Sequence, residues 1–387
     1  MALKIIITMR ILLIALFFVP QFLIGQQTTR SFTFDNQNRE YIQYIPSTYT
    51  GNEPVPVIFS LHGLGDNMNN FSNVGFHNVA DTANIIVITP QALVDGFTNA
   101  TAWNSGAGAG PFILNQDVDD VGFISALIDT LTREYNIDPS RVFATGFSMG
   151  GFMSNRLACE LNSRIAAIAS VAGTIGIGVT CVPNKAIPTC HFHGTADQTV
   201  AYEGNQYGND AEPLFAFWAD NNSCTNQTDS IAMADIKQDG ITVTKFTRNT
   251  SCENNAESVL YRADNAEHTW LFTPTNDIDY TTEIWKFFMD KNHPNPDLTT
   301  IHSITAASIE FDVFPNPAKN TLNISVQQKS SQSLEIRVYD SLGRMVLTQS
   351  EEVIQLTSID IATLLSGAYI VQVDNGASVA SKAFNKL

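Results

Sequence analysis

Charge is scarce in this 387-residue chain, and positive charge scarcest. Only 15% of residues are charged, and 21 Lys and Arg stand against 38 Asp and Glu, a net charge of −17. A chain so poor in basic groups has no electrostatic footprint for a phosphate backbone and is repelled by anionic membranes, which excludes nucleic-acid binding and basic peripheral-membrane roles. Cysteine is also sparse: all five (Cys159, Cys181, Cys190, Cys224, Cys252) precede residue 260, and the C-terminal third has none. No C-x-x-C occurs, so a zinc or redox site of that kind has no support. The apolar run Ile11–Val19 is too short to cross a bilayer. With 44% hydrophobic residues and moderate Gly and Pro, disorder and collagen-like repeats are excluded as well, and the length allows two domains.

Residues 1–25 read as a cleaved secretory signal: Lys4 and Arg10 precede the apolar core, Pro20 and Gln21 interrupt it, and Gly25 offers a small residue before Gln26. Beyond it, near-continuous apolar runs at 55–61 (VPVIFSL), 85–89, 141–146, 165–171 and 187–193 predict buried parallel strands, with an earlier strand at 39–45. Val121, Ile124, Ile128, Leu131 and Tyr135 form one helical stripe over 118–135, and a further helix is predicted over 278–290. Strands alternating with helices over 32–290 predict an α/β fold with a mostly parallel sheet. Prolines at 294 and 296 open a linker over 292–308. From 309 to 387 only short strands separated by turn residues remain (322–326, 334–339, 345–347, 354–356, 368–373), predicting a small all-β sandwich without catalytic residues.

Gly146-Phe147-Ser148-Met149-Gly150 lies directly after a predicted strand and before a predicted helix. G-x-S-x-G in that setting places a serine on a sharp strand-to-helix turn as a nucleophile; the alternative is a tight turn with a helix-capping serine. A serine hydroxyl needs a base and an acid, which follow in that chain order in sheet-based hydrolases. Asp197 lies beyond the 187–193 strand and His268 beyond a strand at 258–262, both at carboxyl ends where ligands gather. The oxyanion donors are then the Met149 amide and, in the loop FSLHGLGDN, the Leu64 amide after the turn at Gly63, with His62 fixing the loop. Trp103 and Trp270 are candidates for the substrate pocket, with ordinary packing the alternative. His191 and His193, two apart on one strand, could begin a metal site, but ligands beyond Asp197 are lacking, and no metal or cofactor is expected. Asp119 and Asp120 read as charges at a helix N-terminus. Cys224 and Cys252 lie in polar surroundings suited to an exposed disulfide; Cys159 and Cys190 read as buried thiols, and the odd count leaves at least one thiol free in a monomer.

The ordered motifs LHGLGDN, VDDVGFI, GFSMGG, HFHGTADQTVAY and EHTW resemble those of the secreted polyhydroxybutyrate depolymerase and feruloyl esterase group, which overlaps with family 1 carbohydrate esterases. The resemblance covers about residues 30–290. It implies an α/β-hydrolase fold, a Ser148, Asp197 and His268 triad, no cofactor, and an ester substrate: feruloyl or acetyl groups on plant polysaccharide, or a polyhydroxyalkanoate polyester. Cys224 and Cys252 are similar to a cysteine pair in many members. Where relatives carry a glycine-rich stretch before the histidine and a proline after the tryptophan, this chain has Asp264–Glu267 and Leu271, which implies a different pocket shape. FDVFPNPAKNTLNI, VYDSLGRMV and LLSGAYIVQV resemble the sorting domain of the Bacteroidetes type IX secretion system, which implies passage through the periplasm to the cell surface or medium with secretion machinery as a partner. Two competing readings are a polymer-binding sandwich at the C-terminus and a surface adhesin on an inactive hydrolase scaffold. The second requires a missing triad residue, and none is missing.

Overall fold

The computed structural model describes residues 25–109, 112–294, 296, 311–326, 334–340, 345–351, 356–374 and 379–387. The expected signal segment, but for Gly25, and most of the expected linker lie outside the described residues.

Strands β1 (Gln26–Phe34), β2 (Gln37–Ile45), β3 (Val55–Leu61), β4 (Ile86–Pro90), β5 (Gly108–Ala109), β6 (Phe112–Ile113), β7 (Ile137–Phe147), β8 (Ala167–Val171), β9 (Thr189–Gly194), β10 (Asp229–Ala232), β11 (Thr242–Arg248) and β12 (Ser258–Asp264) make up the first part. They are interleaved with helices α1 (Met68–Phe71), α2 (Phe76–Ala83), α3 (Asp120–Glu134), α4 (Met149–Glu160), α5 (Ala211–Asn221) and α6 (Tyr280–Phe288). Apart from the short β5–β6 pair, the strands form one 10-stranded sheet, ordered β1-β2-β4-β3-β7-β8-β9-β12-β11-β10. Its centre, from β4 to β12, is parallel, and antiparallel strands close both edges.

The predicted apolar runs occupy the parallel centre because both faces there are covered. All of β3 is buried. Its Val57, Phe59 and Leu61 pack with residues of α3, α4 and α5 on one face, while Ile58 packs with α2 and α6 on the other. Asp119 caps α3 as expected, accepting from the Gly122 amide at 2.8 Å. Asp120 does more than decorate a helix end. It is buried in an ion pair with Arg39 at 2.6 Å and accepts from the Asn104 amide at 2.7 Å. The edge strands β1, β10 and β11 and helix α5 carry no comparable signal; β10, for example, is exposed throughout.

The C-terminal part contains β13 (Phe311–Phe314), β14 (Thr321–Val326), β15 (Leu334–Asp340), β16 (Met345–Glu351), β17 (Leu356–Asp360), β18 (Gly367–Asp374) and β19 (Val379–Lys386). They form an antiparallel β13-β14-β17 sheet and an antiparallel β16-β15-β18-β19 sheet. Alternate residues of both, among them Leu322, Ile324, Ile336, Val338, Ile359 and Val371, share one core. This is the expected two-sheet packing.

Cys224 and Cys252 form a disulfide, and Cys190 is a buried free thiol. Cys159 departs from expectation: it is bonded to Cys181, tying the end of α4 to the segment after β8. The helical run around Cys159 hid this, because the partner comes from a loop that folds back over the helix. Non-reducing peptide mapping should recover both pairs, with only Cys190 alkylated after denaturation. Removing either bridge by paired Cys→Ser substitution should cost about 3.5 kcal/mol on the chain-entropy argument, read as a lower urea midpoint.

Candidate active site

The sharp turn between β7 and α4 holds Ser148 at φ 53° and ψ −119°, a left-handed backbone that serine rarely adopts. Its side chain makes no capping hydrogen bond to the helix, which argues against the capping alternative. The turn is pinned instead by its backbone: the Ser148 amide donates to the Val171 carbonyl at 2.8 Å, and the Phe152 amide donates to the Ser148 carbonyl at 3.0 Å. The flanking glycines are required by close approach. A Cβ at Gly150 would lie 2.6 Å from the Leu61 carbonyl carbon and 2.8 Å from the His62 carbonyl oxygen.

β9 and β12 are adjacent parallel strands, so the loops that leave them meet. The Thr195 amide donates to the Ala263 carbonyl and the Ala196 amide to the Ala266 carbonyl, each at 3.0 Å. This brings Asp197 and His268 together: Nδ1 of His268 donates to Oδ2 of Asp197 at 2.7 Å. The Asp197 carboxylate is fully buried and the imidazole 19% exposed. Oδ1 of Asp197 accepts from the Thr199 and Val200 amides at 2.8 and 2.9 Å. Burial alone would push the Asp197 carboxyl up. Hydrogen bonds from His193 and His268, the charge of His268 and the Val200 amide outweigh it and hold the group well below the usual carboxylate range. The Phe147 ring packs against the His268 ring at 4.8 Å, linking the serine turn to the histidine loop.

The third element is the loop after β3. A Cβ at Gly63 would lie 3.5 Å from the Ser148 Cβ, so this backbone passes directly over the serine. His62 fixes it, as expected: Nδ1 donates to the Gly63 carbonyl at 2.8 Å, and Nε2 accepts from the Ala92 amide at 3.1 Å. Burial lowers its affinity for a second proton, consistent with that neutral tautomer. Holding the Gly63 carbonyl also sets the plane of the Gly63–Leu64 peptide, whose N–H points the opposite way.

Ser148 opens on a cavity of about 310 Å³, lined by Leu64, Phe97, Thr98, Ala107, Gly108, Leu114, Met149, Phe152, Thr199, Val200 and Tyr207. Neither tryptophan lines it. Trp103 is fully buried, packs on the His62 ring and donates from Nε1 to the His62 carbonyl at 2.9 Å; it supports the loop from behind. Trp270 is buried among Phe71, Phe76, Phe147 and Tyr280. Their packing alternative prevails because both rings lie within the apolar layers beneath the site. The cavity wall residues Phe97, Leu114 and Tyr207 come from irregular segments with no periodicity or motif to mark them. His191 and His193 face each other, Nε2 to Nδ1, at 3.0 Å. Among the described residues, no group of three or more His, Cys, Asp or Glu side chains is placed to hold a metal ion.

Residues 49–230 match the phospholipase/carboxylesterase family model, and residues 312–386 match that of the secretion system C-terminal sorting domain. The chain has the α/β-hydrolase fold, and its C-terminal part is similar to a secretion sorting domain. The chain is 32% identical over 204 residues to feruloyl esterase B of Piromyces equi, a match covering 49% of this chain and 36% of that protein. It is 29% identical over 193 residues to a bifunctional acetylxylan esterase/xylanase of Neocallimastix patriciarum, covering 50% of this chain and 25% of the relative. Among solved structures, an acetyl xylan esterase from Aspergillus awamori aligns at 14% identity and TM-score 0.49, covering 68% of this chain and 99% of that one. The chain spans about a quarter to three fifths of the length of the curated relatives it matches. Its sorting domain marks it as secreted or held at the cell surface.

Proposed function

We propose that this α/β-hydrolase is a secreted serine carboxyl-ester hydrolase that removes feruloyl or acetyl groups from plant polysaccharide. The observation that carries the reading is the strained, uncapped Ser148 at the floor of an apolar cavity, with the Asp197–His268 pair on neighbouring strand ends. In this mechanism Ser148 Oγ attacks the ester carbonyl while His268 Nε2 takes its proton. Asp197, on Nδ1, holds the imidazole in the tautomer that leaves Nε2 free to do so. The carbonyl oxygen becomes an oxyanion and is met by two amides: that of Met149, in the first helical turn where no intrahelical acceptor exists, and that of Leu64. His268 returns the proton to the departing alcohol, and water then attacks the acyl-enzyme with His268 again as base. No cofactor is required. The printed names of the feruloyl and acetylxylan esterase relatives support the substrate class.

A polyester substrate is the second reading, favoured by Leu64 and Phe97, which line the cavity while remaining 49% and 77% exposed. Assay of the purified enzyme on methyl ferulate, acetylated xylan and polyhydroxybutyrate film separates the two. Turnover of either of the first two is expected, and hydrolysis of the film alone would overturn the polysaccharide reading.

The division of labour extends to domains: a hydrolase that works alone, a linker, and a tail read by the secretion machinery. His293, which falls in the segment expected as linker, is buried and bonded to Ser140 and Asn162, so the hydrolase extends past it. A chain of residues 26–296 should therefore keep kcat/KM on a soluble ester within about threefold, less than 1 kcal/mol. In the native host it should accumulate in the periplasm. Continued export with selective failure on insoluble polymer would make the tail a binding module instead.

A further inference from the structure

The triad uses one histidine, yet a second reaches the same carboxylate from below. β9 runs directly under Asp197, and its alternation points His191 and His193 to one side of the sheet. Both are buried, and neither has a part in the chemistry proposed above. Nε2 of His193 lies 2.7 Å from the Val200 carbonyl oxygen and 3.4 Å from Oδ2 of Asp197. A carbonyl oxygen can only accept, so Nε2 carries the proton. Nδ1 of the same ring meets His191 Nε2 at 3.0 Å, and the ring edge packs on Tyr202 at 5.6 Å between centroids. The imidazole is therefore clamped on three sides.

These contacts close a ring. Val200 donates its amide to Oδ1 of Asp197, and its carbonyl accepts from His193, whose N–H also faces Oδ2. Resting on the proposed serine-esterase reading, we infer that His193 is a positioning residue: its Nε2–H locks the Asp197–Val200 turn in the one arrangement that presents Oδ2 to His268 and sets Val200 in the cavity wall. Three donors besides His268 then surround the carboxylate, so it has one rotamer before substrate arrives. Without His193, the Val200 carbonyl is left buried without that donor and the turn is free to rotate about the two remaining amide bonds. The acid then drifts from Nδ1 of His268, and a displacement of that kind costs rate and leaves acyl binding in the cavity alone. The His191–His193 pair, which the strand pattern suggested as the start of a metal site, is on this account the lower half of the same brace.

The test compares His193→Leu and His193→Gln in the full-length mature enzyme, with 4-nitrophenyl acetate and methyl ferulate as probes. The leucine variant should lose about a hundredfold in kcat with KM within about twofold. The glutamine variant, which can place an N–H near the position of Nε2, should recover to within about fivefold of wild type. A merely structural role would lower the unfolding midpoint of both without separating kcat from KM. In ¹⁵N-histidine spectra of the unaltered enzyme, His193 should carry its proton on Nε2; this measurement decides the matter even if the leucine variant does not fold. A folded leucine variant with kcat within twofold of wild type, equal impairment of both variants, or an unprotonated Nε2 would overturn the inference. Ser148→Ala run in parallel keeps the two claims apart. Full activity there defeats the serine-esterase reading itself, whereas loss there beside an intact His193→Leu defeats only the role of His193.

Discussion

Replacing Ser148 with alanine is expected to lower kcat by about 10⁵–10⁶-fold, the loss typical of a triad nucleophile, with the unfolding midpoint essentially unchanged. The stability half of this expectation follows from the local structure. Ser148 Oγ caps no helix, and the turn is held by backbone hydrogen bonds that alanine preserves. Alanine bears the same cost of a positive φ as serine, so no strain is relieved or added. The activity half follows from chemistry. Removing Oγ removes the proposed nucleophile, which lines the cavity on a turn between the Gly63 loop and the His268 loop. Residual rate should come from the oxyanion amides and substrate binding alone. Activity within tenfold of wild type, measured on 4-nitrophenyl acetate and by active-site titration, would defeat the assignment.

Gly150→Ala should produce a large structural effect from a single methyl group added to the serine turn. The new Cβ would overlap the Leu61 carbonyl and approach the His62 carbonyl oxygen at 2.8 Å, and both are backbone at the end of a central strand. Neither can swing aside as a side chain would. Either α4 lifts from the sheet or the loop after β3 moves outward. The first opens the core contacts of Met153 and Leu157; the second carries the Gly63–Leu64 peptide away from Ser148. The cost should be about 3 kcal/mol in urea unfolding, with kcat reduced at least a hundredfold even in the folded fraction. Gly96→Ala is the control: a Cβ there meets nothing within 4 Å, and stability should hold. Equal behaviour of the two variants would show that the close approach of helix and strand is not what the turn requires.

Much of this organisation is legible in the chain itself because it rests on short-range rules. Continuous apolar runs such as VPVIFSL become parallel strands, since only a strand covered on both faces tolerates apolar residues at every position. The order of the proposed triad, Ser148, Asp197 and His268, was suggested because each follows a predicted strand, and strand ends in such a sheet share an edge. Edge strands escaped notice for the converse reason: half-solvated, their residues need no pattern, and β10 is exposed throughout. What the chain alone left open depends on which surfaces meet. Trp103 and Trp270 stood beside the right motifs, but a ring's direction is set by packing, and both turn inward to carry the loops instead of lining the cavity. Cys159 found Cys181, and Asp120 found Arg39, across separations that no local pattern encodes. The cavity wall is the extreme case. Phe97, Leu114 and Tyr207 come from irregular segments far apart in sequence, and only the folding of those segments onto Ser148 makes them neighbours. Local pattern thus determined the layers and the chain order of the proposed reacting groups, while tertiary packing decided which side chains line the cavity.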